Sequence, residues 1–414
     1  MSRRRRSIAI IAPPTPGHLN PLQVLGARLI ALGHRVTIVH TGGVARYVNT
    51  PEVGFAPLAD GASDGLLDTY LSQLAAATGL LGITRMIAAT ARMTARLLDE
   101  APAVLERIGA EAVIADAAEP AGGLIARRLG LPHVVSITGL PLMREENVPP
   151  PFLRWPYRPD GSGRARNRGG YRVSDLLMRP ISGVLEQRRR AWRIDEEEED
   201  GPLVHVAQCP RGLDFPRDEL PPRFHYGGPW RNPVEPWVDR PDDPLPLIFC
   251  SLGSLQGSRK ALFATMAAAC AAVGARAVIG HGGGLTADEE AALPGDPLVR
   301  DYWPQEAVLR CCSAAMLHGG FNTVLDAVAA RVPIVAVPIA FEQPGTAARL
   351  ARIGAAKVVR WRGLTVRRLA RALEEVLAER RYKEAAGKLA DEMANAGGAK
   401  TAAAIVSAAL VDRP

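Results

Sequence analysis

Short apolar runs alternate along this chain with longer stretches whose apolar residues recur at helical spacing. Ser7 to Ala12 is the first run. Asn20 to Leu32 follows with a helical period, and Asn20 suits its N-cap, Pro21 its first position and Gly33 its stop. Arg35 to His40 reads as the next strand. Leu66 to Leu81 and Arg85 to Ile108 read as helices, Ala112 to Ala115 as a strand ending at Asp116, Ala121 to Leu129 as a helix and His133 to Ile137 as a strand. Strands alternating with helices predict a parallel sheet covered on both faces.

The pattern lapses between Arg144 and Gly170, which is rich in Pro, Arg and Gly. One helix is expected around Ser174 to Trp192, before an acidic run from Glu196 to Asp200. Gly227 to Pro246 has many prolines and glycines and no period, as an interdomain linker would. A second alternation begins at Leu247 to Ser251, continues through Lys260 to Val273 and Arg276 to Gly280, and runs on to Ala356. Arg367 to Ala378 and Lys400 to Leu410 read as helices. The expected organisation is α/β: a first doubly wound domain over residues 1–226, a linker at 227–246, a second domain over 247–400 and a last helix over 401–414.

At 414 residues the chain is too long for one ordinary core, and a hydrophobic content of 47% is ample for two. The formal net charge of +7 raises nucleic acid as a partner, but no helix-turn-helix, zinc or RNA-binding pattern is present, so none is expected. Peripheral contact with acidic lipid headgroups fits the charge; so does a plain compositional bias toward Arg and Ala. No run of about 20 apolar residues exists, so no membrane span is expected. Arg3 to Arg6 resembles the start of a signal peptide, yet Ser7 to Ala12 is too short for its apolar core and runs into Pro13-Pro14. The five cysteines lack metal-site spacing and are odd in number, which reads as a reduced, cytoplasmic protein.

The candidate chemistry is densest near the end of the second alternation. Ala314 to Leu317 is a strand, His318-Gly319-Gly320 turns the chain, Asn322 is placed to cap a helix, and Thr323 to Ala330 reads as that helix. Free amide groups at its start, with the positive end of its dipole, favour a phosphate, and His318 is available as a further donor. Asp326, one turn beyond Asn322, is placed to accept from ribose hydroxyls. Tyr302-Trp303-Pro304-Gln305 supplies an aromatic plate, with Trp303 against a base. Glu342 and Gln343 are a polar pair suited to sugar hydroxyls. In the first domain, His18 follows the first strand and Asp116 ends a later one. Ligands in such sheets sit beyond the carboxyl ends of strands, so the two side chains are expected to meet at one edge. A carboxylate orients an imidazole and makes it more basic. Glu119 is near enough in sequence to substitute for Asp116.

These residues resemble the donor signature of nucleotide-sugar-dependent glycosyltransferases of the GT-B fold, the family that holds plant UDP-glycosyltransferases and bacterial antibiotic glycosyltransferases. The signature runs W-x-P-Q, then H-C-G-W-N-S, then E, then D/E-Q. This chain has Gly319 for Cys, Phe321 for Trp, Thr323 for Ser and Asp326 for Glu, and it lacks the residue between Trp303 and Pro304. Ser251 to Gly257, His281 to Leu285, His318 to Ala327, Phe341 to Gly345 and Ile11 to His18 together look like bacterial zeaxanthin glucosyltransferases. The resemblance implies two Rossmann-like domains facing a central cleft, with the last helix crossing back to the first domain. It implies a His18–Asp116 catalytic pair and a donor site of Ser251, Gly253, Ser254, His281, Trp303, Gln305, His318, Gly320, Asn322, Thr323, Asp326, Glu342 and Gln343. Gly17, Met86 and Leu140 fall on the acceptor side.

The implied reaction is an inverting transfer of glucose from UDP-glucose, as co-substrate and with no cofactor, to a lipophilic hydroxyl such as that of zeaxanthin. No Asp-x-Asp motif is present, so the reading needs no metal. The signature leaves open a UDP- or TDP-sugar transferred to a macrolide or polyketide. It disfavours a non-catalytic relative, which needs neither His18 nor Glu342-Gln343, and an epimerase, which needs no acceptor cleft. Leu80, Leu81, Ile83, Met86, Ile87 and Met93 line the cleft, face a membrane or belong to the core; helical spacing does not decide, and core is the reading favoured. Sequence sets no oligomeric state.

Overall fold

The first apolar runs form β1 (Ser7–Ile11), β2 (Arg35–His40), β3 (Gly54–Pro57), β4 (Ala112–Asp116), β5 (His133–Ile137), β6 (His205–Ala207) and β7 (Phe224–His225). They assemble as one parallel sheet in the order β3-β2-β1-β4-β5-β6-β7. This is a computed structural model, and it describes residues 5–58, 64–194, 201–242 and 244–411. The acidic run at Glu196 to Asp200 and Arg3 and Arg4 of the Arg3 to Arg6 cluster lie outside the described residues. Every residue of β1 and β4 is buried, because helices cover both faces: α1 (Pro16–Ala31), α2 (Asp64–Ala75), α3 (Gly79–Arg107), α4 (Ala121–Arg128) and α5 (Gly161–Ala191).

The second sheet contains β8 (Leu247–Ser251), β9 (Arg276–Gly280), β10 (Leu298–Arg300), β11 (Ala314–Leu317), β12 (Ile334–Ala336) and β13 (Ala356–Val358), in the parallel order β10-β9-β8-β11-β12-β13. Its helices are α6 (Lys260–Ala272), α7 (Ala287–Ala291), α8 (Gln305–Leu309), α9 (Phe321–Ala329), α10 (Gln343–Ile353), α11 (Val366–Ala378) and α12 (Arg380–Asn395). The last helix, α13 (Gly398–Val411), packs Ala402, Val406 and Leu410 into the same core as Ile8, Leu22 and Val36 of the first domain. The segment between the domains has no regular structure, yet Trp230 is fully buried in that first core and Trp237 packs in the second.

Four helices depart most from the sequence expectation. The first begins at Pro16, not Asn20, with Thr15 as N-cap. Pro16 takes the position where a missing N–H costs nothing, and Pro21 lies inside the helix. The break between α2 and α3 falls at residues 76–78 rather than 82–84, where Gly79 takes φ +70°. Finally, α5 starts at Gly161, well before Ser174. The Asp160 side chain accepts from the Gly163 amide and caps it. Its glycines serve close approach: a Cβ on Gly170 would lie 2.7 Å from the Trp155 ring.

Candidate active site

Register decides what meets. Ile11 of β1 pairs with Ala115 of β4, and Asp116 pairs with Ser136 of β5, so the chain leaves all three strands at one edge of the sheet. In the second sheet Ser251 pairs with Leu317, so the Ser251–Ser254 loop and the His318 turn lie side by side. The two edges face each other across a cavity of about 1600 Å³. Ordinary ligand sites hold roughly 300–1000 Å³, so this one has room for two substrates.

On the first-domain wall His18 sits in the opening turn of α1. Its Nδ1 lies 3.2 Å from Asp116 Oδ1 and 2.7 Å from Thr138 Oγ1, while the Thr138 hydroxyl donates to Asp116 Oδ2 at 2.8 Å. That hydroxyl has one hydrogen, and it goes to the carboxylate. Thr138 therefore accepts from Nδ1–H, which fixes the tautomer and leaves the Nε2 lone pair for the cavity. Enclosure lowers the basicity of His18. The charge and hydrogen bond of Asp116, helped by Glu342 and Glu119, more than offset this, so its pKa is raised above the ordinary 6.5. Asp116 is itself held by the Ala118 amide at 3.0 Å.

Glu119 does not take the place of Asp116. Its carboxylate turns away to accept from Thr94 Oγ1 at 3.0 Å and the Ala121 amide at 3.2 Å. Burial pushes it up to about 7, with those hydrogen bonds opposing the rise. Gly17, Met86 and Leu140 all line the same wall.

On the opposite wall the cavity is lined by Ser251, Gly253, Ser254, Trp303, Gln305, His318, Gly320, Asn322, Thr323, Asp326, Glu342 and Gln343. Three of them differ from expectation. Asn322 does not cap α9; Gly320 is the N-cap and contributes no side chain. Instead Asn322 Nδ2 donates across the cleft to the Gly17 carbonyl at 2.6 Å. That carbonyl is available because Pro21, four residues on in α1, has no N–H to give it. His318 donates Nδ1–H to the Ser251 carbonyl at 3.3 Å, and burial lowers its pKa to about 4. It is neutral, with a lone pair on Nε2, so the phosphate donor expected of it would need a protonation that burial opposes. Gln343 turns its carbonyl oxygen to the Ile339 and Ala340 amides, at 2.9 and 2.8 Å, which leaves its NH2 as the donor group.

His281 is not on the cavity wall. Its imidazole is fully buried; Nδ1 accepts from the Leu285 amide, and Nε2 lies 2.9 Å from Glu290 and 3.1 Å from Asp301. These three form the one group with metal-ligand spacing among the described residues. With Nδ1 accepting, however, Nε2 carries the hydrogen and has no lone pair to offer an ion. Gly280 and Gly282, its backbone neighbours, do line the cavity.

Sequence reasoning named Gln305 and Trp303 but missed Arg231, Gln208, Asp214, Arg217 and Arg349, which with them hold this wall in place. Arg231, from the linker, donates Nε–H to Asp326 Oδ1 at 2.8 Å and Nη2–H to Asn322 Oδ1 at 3.0 Å. Gln305 takes the other Asp326 oxygen at 2.5 Å. Gln208, fully buried, donates to both the Thr138 carbonyl and Asn322 Oδ1. Trp303 is anchored by donation to the Ile279 carbonyl at 2.9 Å and stands edge-on to Trp237. Beyond the cavity, Asp214 of the first domain binds Arg349 of α10 at 2.9 Å and Arg217 at 2.7 Å, all three buried. Only the Asp214–Arg217 pair has a local spacing, three residues apart; the other partners lie far apart in the sequence.

Residues 246–392 match the family model described as UDP-glucoronosyl and UDP-glucosyl transferase. The chain is 35% identical over 410 residues to the zeaxanthin glucosyltransferase of Pseudescherichia vulneris, covering 97% of each chain. It is 34% identical to that of Pantoea ananas, covering 96% of this chain and 94% of the relative. The solved calicheamicin glycosyltransferase CalG4 superimposes with a TM-score of 0.76 over 99% of both chains at 23% identity, a likeness of fold. The chain belongs to the UDP-glycosyltransferase family of GT-B glycosyltransferases.

Proposed function

We propose that the protein is an inverting, metal-independent glucosyltransferase that moves glucose from UDP-glucose to a hydroxyl of a lipophilic acceptor, most concretely zeaxanthin. The observation that carries this reading is one cavity with two unlike walls. His18, held by Asp116 and Thr138, faces Glu342 and the start of α9 across it. The apolar side chains of α3 and α5, among them Ile83, Met86, Leu177 and Ile181, close its first-domain end.

In this mechanism residues 1–226 receive the acceptor and 247–400 hold the donor. His18 Nε2 takes the acceptor's hydroxyl proton as that oxygen attacks C1 of the sugar from the face opposite the diphosphate. The C1–oxygen bond to the diphosphate breaks and its electron pair leaves with the phosphate. The amides at the start of α9 and in the Ser251–Ser254 loop are placed to take that charge. Asp326, pinned by Arg231 and Gln305, receives the ribose hydroxyls. Trp303 flanks the base, and Glu342 with the Gln343 NH2 hold the sugar.

Incubating the purified protein with UDP-glucose and zeaxanthin in detergent should give a hexosyl mass increment. A panel of TDP-sugars and polyketide acceptors should give less. Undiminished product from His18→Ala rejects the base, and product only from a TDP-sugar rejects the donor.

A further inference from the structure

Large apolar side chains at the surface are concentrated at one place. Eleven are well exposed among the described residues, and five of them, Leu80, Leu81, Phe152, Val173 and Leu176, lie on α3, on α5 or in the segment that leads into α5. Three of these both line the cavity and stand open to solvent: Leu80 is 69% exposed, Val173 59% and Phe152 40%. A residue that does both lies on the rim of the mouth. Leu81, at 72%, is adjacent to Leu80, and Leu176, at 58%, lies one turn beyond Val173 on α5. Apolar surface of this kind around an apolar cleft marks an interaction site.

The charge beside it is mostly positive; the exposed acid there, Asp175, is paired with Arg144. α5 carries eight arginines against two acidic residues. Those toward its C-terminal end are paired: Arg188 with Asp99, Arg189 and Arg190 with Glu186. By contrast Arg164, Arg172 and Arg179 are exposed and make no ion pair among the described residues, and Arg172, Leu176 and Arg179 recur at the spacing of one helical face. Exposed leucines flanked by unpaired arginines match the boundary of an anionic bilayer, where apolar side chains enter the headgroup layer and cations meet acidic lipid.

We infer that the rim formed by the start of α3 and the middle of α5 seats the protein on an anionic phospholipid surface, with the cavity mouth toward the lipid. The inference rests on the lipophilic-acceptor reading above: an acceptor dissolved in the bilayer passes from lipid to His18 along an apolar wall without crossing water.

The test uses the full chain with vesicles of phosphatidylglycerol and phosphatidylethanolamine, against phosphatidylcholine alone, by co-sedimentation. Binding should be confined to the anionic vesicles and weaken with salt. Two double variants off the cavity wall, Leu81→Ser with Leu176→Ser and Arg172→Glu with Arg179→Glu, should each weaken it about tenfold or more. Both should keep wild-type transfer to detergent-dissolved acceptor while losing transfer to acceptor held in vesicles. Equal sedimentation with neutral vesicles, undiminished binding by both variants, or a dimer in solution that the leucine variant dissociates overturns the inference. Vesicle binding without transfer to any lipophilic acceptor leaves the surface standing and sinks the acceptor reading. Transfer in detergent without vesicle binding does the reverse.

Discussion

Replacing Glu119 by Gln should stabilise the protein by an amount that grows as pH rises from about 4.5 to about 7 and is then constant. The Glu119 carboxyl is buried beside the His18–Asp116 pair, and burial raises its pKa from 4.5 to about 7. An acid whose folded pKa exceeds its unfolded value adds stability fully present below the unfolded value and lost as pH rises through the folded one. The gap is worth roughly 3 kcal/mol. Between about pH 4.5 and 7 the wild type keeps Glu119 protonated against solvent at a growing cost, and above about 7 it ionises the group in the interior at the full cost. Gln presents the same acceptor oxygen to Thr94 and the Ala121 amide and bears none of it. Urea denaturation at pH 8.5 should therefore favour Glu119→Gln by about 3 kcal/mol, or roughly 6–12 °C in thermal midpoint for a domain of this size. Below pH 5 the difference should shrink to under about 1 kcal/mol. An equal shift at both pH values, or a variant less stable at pH 8.5, would refute the reasoning.

Asp116→Asn removes the group that raises His18; kcat should fall by about 10²–10⁴. The acid limb of the pH–rate profile, above 6.5 in the wild type, should move to lower pH, and an unmoved limb sinks the pairing. Arg231→Ala frees Asp326 and Asn322 from the cation that orients them. Calorimetry should then show UDP-glucose binding weakened by about ten- to a hundredfold, with Arg231→Lys rescuing only part because an ammonium cannot bridge both groups; unchanged affinity counts against it. Asp214→Ala strands two buried guanidiniums, Arg217 and Arg349, and should cost about 3–5 kcal/mol in denaturant, a loss under 1 kcal/mol being contrary. Gln208→Leu touches neither substrate but breaks the link between Thr138 and Asn322. It should lower kcat with the acceptor KM little changed, whereas a change in acceptor KM alone would refute a positioning role.

The elements were legible in the sequence where one local period carried the signal. The runs at Leu247–Ser251, Arg276–Gly280 and His133–Ile137 are strands at those bounds, because a strand buried on both faces needs nothing but apolar residues. Reading failed where two local signals competed. Asn20-Pro21 looks like a helix start, but Thr15-Pro16 is an equally good one and lies nearer the strand. Asp160-Gly161-Ser162-Gly163 has the composition of a turn, yet the Asp160 cap and the crowding at Gly170 make it helix. In the site, spacing grouped His318, Asn322 and Asp326 because they lie within one βαβ unit. It could not find Arg231 or Thr138, whose partners are 95 and 120 residues away; such contacts exist only once both sheets have set their edges.

Those distant contacts explain why both halves of the site share one geometry. Pro21 withholds an N–H from Gly17, so the carbonyl next to His18 is open to Asn322. Asn322 accepts in turn from Gln208, Gln208 donates to the Thr138 carbonyl, and the Thr138 hydroxyl holds His18 Nδ1. The path returns to its start, a closed circuit running from His18 through Asn322 at the start of α9 and back. Its carbonyl, carboxamide and hydroxyl groups have their partners within the protein, so opening the cleft would leave several of them to find water. A Pro that looks like a simple helix-start signal in the sequence thus has a second consequence. By leaving one hydrogen bond unmade inside the first domain, it allows the second domain to register against the carbonyl beside His18.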